Sequence, residues 1–231
     1  MRLVCFPHAG GSASAYRSWA SLLPDDVELL SAQYPGRQDR LAEPCLVSMD
    51  QFADAVCTAL TPFLDLPVAL FGHSMGASLA HEVALRLERA GTAPLALLVS
   101  SRMPPRHHRP RIEAWDDQAL LADVRVLDPD SEAILADPDM RELMLPAIRA
   151  DYLVADSYRP APDPIVGIPV VAYAGDRDPY VSIWQLRAWA EITKSNFQML
   201  VFPGHHFYLR SNAVELVQDI SSRLVTNVMS G

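Results

Sequence analysis

Short apolar runs alternate along the chain with longer stretches in which apolar residues recur every three or four positions. The runs at 3–6, 68–71, 96–100, 170–174 and 198–202 are nearly continuous, and glycine or proline follows each within four residues, as expected of strands buried on both faces. A further strand is expected at 27–34, closed by Pro35-Gly36. Helical spacing marks 13–23, 49–64, 76–90, 183–192 and 212–228. In the second of these, Met49, Phe52, Ala53, Val56, Cys57, Leu60, Phe63 and Leu64 fall on one face. This alternation predicts an α/β fold, a parallel central sheet flanked by helices on both sides.

The alternation lapses after Arg102. Residues 113–156 read as several helices, with Leu120, Leu121, Val124, Leu127, Leu143, Met144, Ile148, Tyr152 and Leu153 as apolar positions, and proline-rich stretches lie on either side. The expected organisation is one core built from 1–101 and 161–231, interrupted by 102–160 as a linker plus an inserted helical lid.

Composition narrows the function classes. Half of the 231 residues are apolar and a fifth are charged, which excludes a disordered chain. No apolar run reaches the length of a membrane span, the first residues are too few for a signal peptide, and Cys5, Cys45 and Cys57 lack metal-ligand spacing. They read as reduced thiols, and the protein is expected in the cytoplasm, away from membranes. The net charge of −9 is concentrated: 113–156 holds 12 acids against 3 arginines, while the rest balances. The stretch 102–111 carries four arginines and no acid. Without a broad positive field, nucleic-acid binding is not expected.

The strongest chemical signal is Gly72-His73-Ser74-Met75-Gly76, a G-x-S-x-G motif after an apolar strand and before a helix. That context puts the serine on a sharp turn above the sheet, where the flanking glycines make room for neighbouring backbone. A serine hydroxyl needs a base, and the base needs an orienting acid. Asp178 follows the strand at 170–174, with Asp176 as its competitor; His206 follows the strand at 198–202, with His205 as its competitor. Both positions lie past the carboxyl ends of strands. The oxyanion of a tetrahedral intermediate is expected to meet the N–H of Met75 and one from residues 7–11, Ala9 ahead of His8. No H-E-x-x-H arrangement exists, so no metal site is expected.

These residues resemble the α/β-hydrolase superfamily, and within it the type II (external, editing) thioesterases of polyketide and nonribosomal peptide pathways. The resemblance spans nearly the whole chain. It rests on Cys5-Phe6-Pro7-His8-Ala9-Gly10-Gly11-Ser12, on Tyr34-Pro35-Gly36-Arg37-Gln38-Asp39-Arg40, on the elbow, on Leu145-Pro146-Ala147-Ile148-Arg149-Ala150-Asp151-Tyr152, on Gly175-Asp176-Arg177-Asp178-Pro179 and on Gly204-His205-His206-Phe207. Two points of comparison stand out: His205 fills a position where the family usually has glycine, and the family usually has a short segment before the strand expected here at 3–6.

The resemblance implies an α/β-hydrolase fold and hydrolysis of acyl groups from the phosphopantetheine arm of acyl or peptidyl carrier proteins. Ser74 would be the nucleophile, His206 the base and acid, and Asp178 its orienting partner. The substrate brings the phosphopantetheine, so no cofactor of the enzyme's own is expected, and a monomer is expected. The lid would cover an acyl pocket lined by His8, Leu121, Met144 and Phe207. Carriers of this kind are acidic, so Arg102, Arg106 and Arg109 are the expected docking residues. A carboxylesterase for small esters and an acyltransferase share every catalytic group, and a non-catalytic acyl-binding protein shares the fold.

Overall fold

Each continuous apolar run becomes a strand because it has two apolar layers to face. The computed structural model describes residues 1–108 and 116–229. Its sheet contains β1 (Arg2–Phe6), β2 (Glu28–Ser31), β3 (Val68–His73), β4 (Leu97–Ser100), β5 (Val170–Gly175) and β6 (Phe197–Phe202). The order is β2-β1-β3-β4-β5-β6, and every neighbouring pair is parallel.

Successive side chains divide between the faces. Val4, Phe6, Leu70, Val99, Val170 and Ala172 pack with Phe52 of α1 (Met49–Leu60), Val83 of α2 (Met75–Arg89) and Leu186 of α6 (Ile183–Arg187). Leu3, Cys5, Phe71, Leu98 and Tyr173 pack with Trp19 of the 3-10 helix Ala13–Ser21 and with Leu216, Val217 and Ile220 of α7 (Ala213–Met229). Each fully buried Leu or Phe contributes about 1.5–3 kcal/mol. Some predicted bounds shorten. The strand expected at 27–34 pairs over four residues, and the helix expected at 49–64 ends at Leu60, where Pro62 interrupts the ladder and a 3-10 turn follows.

Between β4 and β5 run α3 (Asp117–Leu127), α4 (Glu132–Leu135) and α5 (Pro138–Ser157). Asp116 caps α3 by accepting from the Ala119 N–H at 2.7 Å, and Asp137 caps α5 with Pro138 behind it. Leu120, Ile148 and Tyr152 form a small core of their own that joins α3 to α5. Among the described residues no helix is long and apolar enough to cross a membrane.

The strand order reverses beside β1. The chain leaving β1 packs on one face, while α2, leaving the adjacent β3, packs on the other. Such a switch opens a crevice beyond the carboxyl ends of the strands, and the loops after β1, β3, β4, β5 and β6 meet there.

Candidate active site

The turn from β3 into α2 is forced by packing. Ser74 stands at φ 56° and ψ −122°, a conformation that costs an L-residue about 1–3 kcal/mol. Its N–H donates to the Ser100 carbonyl at 2.8 Å, which pins the turn to β4. A Cβ at Gly72 would lie 2.1 Å from the Gly76 carbonyl oxygen, and one at Gly76 would lie 2.1 Å from that of Phe6. Both positions must be glycine for α2 to seat against β3 and β1. The first amides of α2 thereby face the crevice, where the helix macrodipole favours negative charge.

Asp178, on the loop after β5, is held from both sides. Its Oδ1 accepts from the N–H groups of Tyr180 (2.9 Å) and Val181 (3.2 Å), and its Oδ2 accepts from His206 Nδ1 at 2.9 Å. The carboxylate is fully buried and His206 is 3% exposed. Burial alone would raise this carboxyl, but the hydrogen bond and charge of His206 and the Tyr180 N–H outweigh it and hold Asp178 below the usual range. With Nδ1 donating to Asp178, Nε2 is left as the acceptor. It has no partner among the described residues and lines the same cavity as Ser74.

The competing pair is employed elsewhere. Asp176 accepts from the Gly204 N–H at 2.8 Å and so ties the loop after β6 to the loop after β5. His205 is exposed and bonds the Arg177 carbonyl at 3.1 Å. His73 is buried beneath the elbow, with Nδ1 2.9 Å from Ser100 Oγ, which in turn meets the Tyr208 hydroxyl at 2.8 Å.

Ala9 and Met75 line the crevice together with Ser74, and neither N–H is bonded elsewhere among the described residues. Beside them the His8 ring lies edge-on to Phe207 at 4.7 Å. Burial, and then the positive charges of Arg210 and His206, push His8 down to about 3, so it is neutral near pH 7. A Cβ at Gly11 would meet that ring at 2.8 Å.

The cavity above these groups has a volume of about 700 Å³. Its apolar wall comes from Val124, Leu127, Ile134, Leu135, Met144 and Ile148, with Phe207 near Ser74. Across its rim, Arg210 grips Asp128 with two bonds of 2.7 Å and stacks over Phe207 at 4.3 Å. Tyr180 donates to Asp123 of α3, as does Tyr152 at 2.9 Å. Nothing local in the sequence marks the hydrogen bonds that Arg210, Tyr180 and Tyr152 make to Asp128 and Asp123, since their partners are 29 to 82 residues apart.

His8, Met144 and Phe207 line the cavity, and Leu121 does not. On α3 the residues at 120, 124 and 127 share one side; Leu121 lies about 100° around the helix and is buried at 9% exposure away from the cavity. Arg102 is a second correction. It is no surface docking group: its guanidinium turns inward, donating to Ser78 Oγ at 3.1 Å and the Ala155 carbonyl at 3.4 Å, and it lines the cavity. Its own carbonyl accepts from Trp189 Nε1 at 2.7 Å, which fixes the backbone in that direction. Arg106 is exposed, 3.8 Å from Asp163, and Arg109 lies outside the described residues. Among the described residues no cluster of three His, Cys, Asp or Glu side chains is arranged to hold a metal ion.

A family model described as a thioesterase domain matches residues 1–224. The chain is 43% identical to thioesterase PikA5 of Streptomyces venezuelae over 228 residues, 97% of this chain and 81% of that protein. It is 34% identical to the gramicidin S biosynthesis protein GrsT of Aneurinibacillus migulanus, over 97% of this chain and 89% of that one. The solved type II thioesterase BorB from the borrelidin biosynthetic cluster superposes with a TM-score of 0.90 at 42% identity, covering 96% of this chain and 92% of that one.

Proposed function

The chain belongs to the thioesterase family, and from that premise we propose how it works: it clears acyl groups from the phosphopantetheine arms of carrier proteins in polyketide or nonribosomal peptide assembly, the editing role of a type II thioesterase. The observation that carries this reading is His206, oriented by the buried Asp178, sharing a cavity of about 700 Å³ with one apolar wall and the strained Ser74 turn.

The acyl chain lies along the apolar wall, with its thioester carbonyl at Ser74. His206 Nε2 takes the hydroxyl proton as Ser74 Oγ attacks the carbonyl carbon. The oxyanion that forms is met by the N–H groups of Met75 and Ala9, each such donor lowering the barrier by about 3–4 kcal/mol. The C–S bond breaks and the thiol departs with the proton from His206, leaving a serine ester. Water then gives its proton to His206 and attacks the ester. Ser74 recovers the proton as the C–O bond breaks, and a carboxylic acid is released. Asp178 keeps Nδ1 protonated and stabilises the imidazolium in both halves of the cycle. Thioesters suit this site because sulfur gives the carbonyl little resonance and a thiolate leaves readily.

Mass spectrometry of a panel of acyl-loaded carrier proteins, before and after treatment, tests the proposal. The enzyme is expected to return unloaded carriers with their arms intact, and Ser74→Ala to leave the loads in place. Full deacylation by Ser74→Ala would overturn it.

A further inference from the structure

Two motifs singled out in the sequence have no part in the mechanism above: the turn at Pro35-Gly36-Arg37 and the stretch of α5 that includes Asp151. The fold brings them together across 114 residues. Arg37 and Asp151 form a two-pronged ion pair, Nη1 to Oδ2 at 2.5 Å and Nη2 to Oδ1 at 2.9 Å. Arg37 is 7% exposed and Asp151 is 0% exposed.

Each partner also holds the loop after β1. Asp151 Oδ2 accepts from the Gly10 N–H at 2.7 Å, and Arg37 Nη1 donates to the Gly11 carbonyl at 3.1 Å. Tyr34, whose ring lies 5.2 Å from the Arg37 guanidinium, donates from its hydroxyl to the Pro7 carbonyl at 3.2 Å. The loop carrying Ala9 is therefore held on one side of that residue at Pro7 and on the other at Gly10 and Gly11. Gly10 adopts φ +75°, and a Cβ there would lie 2.8 Å from Ile148 Cγ1, so the loop is pressed onto α5 as well as bonded to it.

A buried ion pair is a poor way to stabilise a fold, because desolvation cancels most of the attraction, and apolar residues of similar volume serve as well or better. Apolar residues cannot fix an N–H and a C=O in space. We propose that Arg37 and Asp151 are positioning residues: they set the loop after β1 so that the Ala9 N–H points at the oxyanion. This rests on the reading of Ala9 given above.

The test is the double variant Arg37→Met/Asp151→Leu, which removes both charges at once, with Asp151→Asn beside it. The substrate is an acyl N-acetylcysteamine thioester. A trifluoromethyl ketone of the same chain length mimics the tetrahedral intermediate, and the free fatty acid mimics the ground state. Thermal unfolding and near-UV circular dichroism report the fold. In each variant with a native spectrum, kcat is expected to fall about 10²-fold, the cost of a displacement near 1 Å. Affinity for the ketone should fall by the same factor, while KM and fatty-acid affinity stay within about threefold. A natively folded variant with wild-type kcat, or one that loses turnover but still binds the ketone normally, would overturn the proposal. If Ser74→Ala is inactive while the double variant is fully active, only the role of the pair falls. If Ser74→Ala retains turnover, the functional reading falls with it.

Discussion

Asp176 and Asp178 stand two positions apart on one loop and take up separate tasks. Asp178 receives three hydrogen bonds, one of them from His206; Asp176 receives the Gly204 N–H. Replacing Asp178 by Asn presents an amide to Nδ1 and favours the wrong imidazole tautomer. Its kcat is expected to fall about 10⁴-fold with little change in KM. Asp176→Asn should keep kcat within a few-fold and lower the melting temperature slightly. Steady-state kinetics and thermal melts on the two variants check this, and equal losses of kcat would refute the division of labour. The elbow is legible in sequence because its glycines and serine act within five residues. The choice between the two aspartates has no such local mark, because it depends on which carboxylate meets the amides of Tyr180 and Gly204, and the choice between the two histidines depends on which ring meets Asp178 and which the Arg177 carbonyl.

The helices between β4 and β5 show what an apolar pattern conveys and what it omits. It conveys that α3 is amphipathic. It does not fix the phase, because Leu120, Leu121, Val124 and Leu127 are all apolar and any of them fits a buried face. Packing of Leu120 against Ile148 and Tyr152 decides it, turning Val124 and Leu127 to the cavity and Leu121 away. The run of arginines has the same ambiguity, since charge alone does not tell that Arg102 points inward. The strands are easier to read, because a strand buried on both faces is continuously apolar and has no phase to determine. Val124→Trp is expected to fill the far part of the cavity, cutting kcat/KM for an octanoyl thioester at least about tenfold relative to acetyl. Leu121→Trp should leave that ratio unchanged while lowering stability. Kinetics over a chain-length series measures the first effect, and an unchanged ratio in Val124→Trp would place the acyl chain elsewhere.

Across the whole molecule, buried imidazoles set the response to acid. Burial lowers His73 and His81, and it lowers His8, aided by Arg210 and His206, to about 3. In the native state these rings bind protons less readily than in the unfolded chain, where they take them up below about pH 6.5, and His8 stays neutral at pH 5. The unfolded chain then binds more protons, so stability falls as pH drops from about 6.5, by up to about 1.4 kcal/mol per unit for each ring. Asp178 adds to this lower down: its contribution is complete above the unfolded value near 3.9 and is lost as pH falls through its lowered native value. Urea midpoints are expected to decline between pH 7.5 and pH 5, and His81→Gln to decline less; parallel declines would show that His81 does not contribute. A last consequence belongs to descent. Positions 72 and 76 admit not even one methyl group, because the backbones of β1 and α2 already occupy the space. Any lineage that put a side chain at either site would have to rebuild the neighbouring loop in the same step. The heart of this enzyme is therefore an evolutionary cul-de-sac, and its freedom to acquire new substrates lies in the helices overhead.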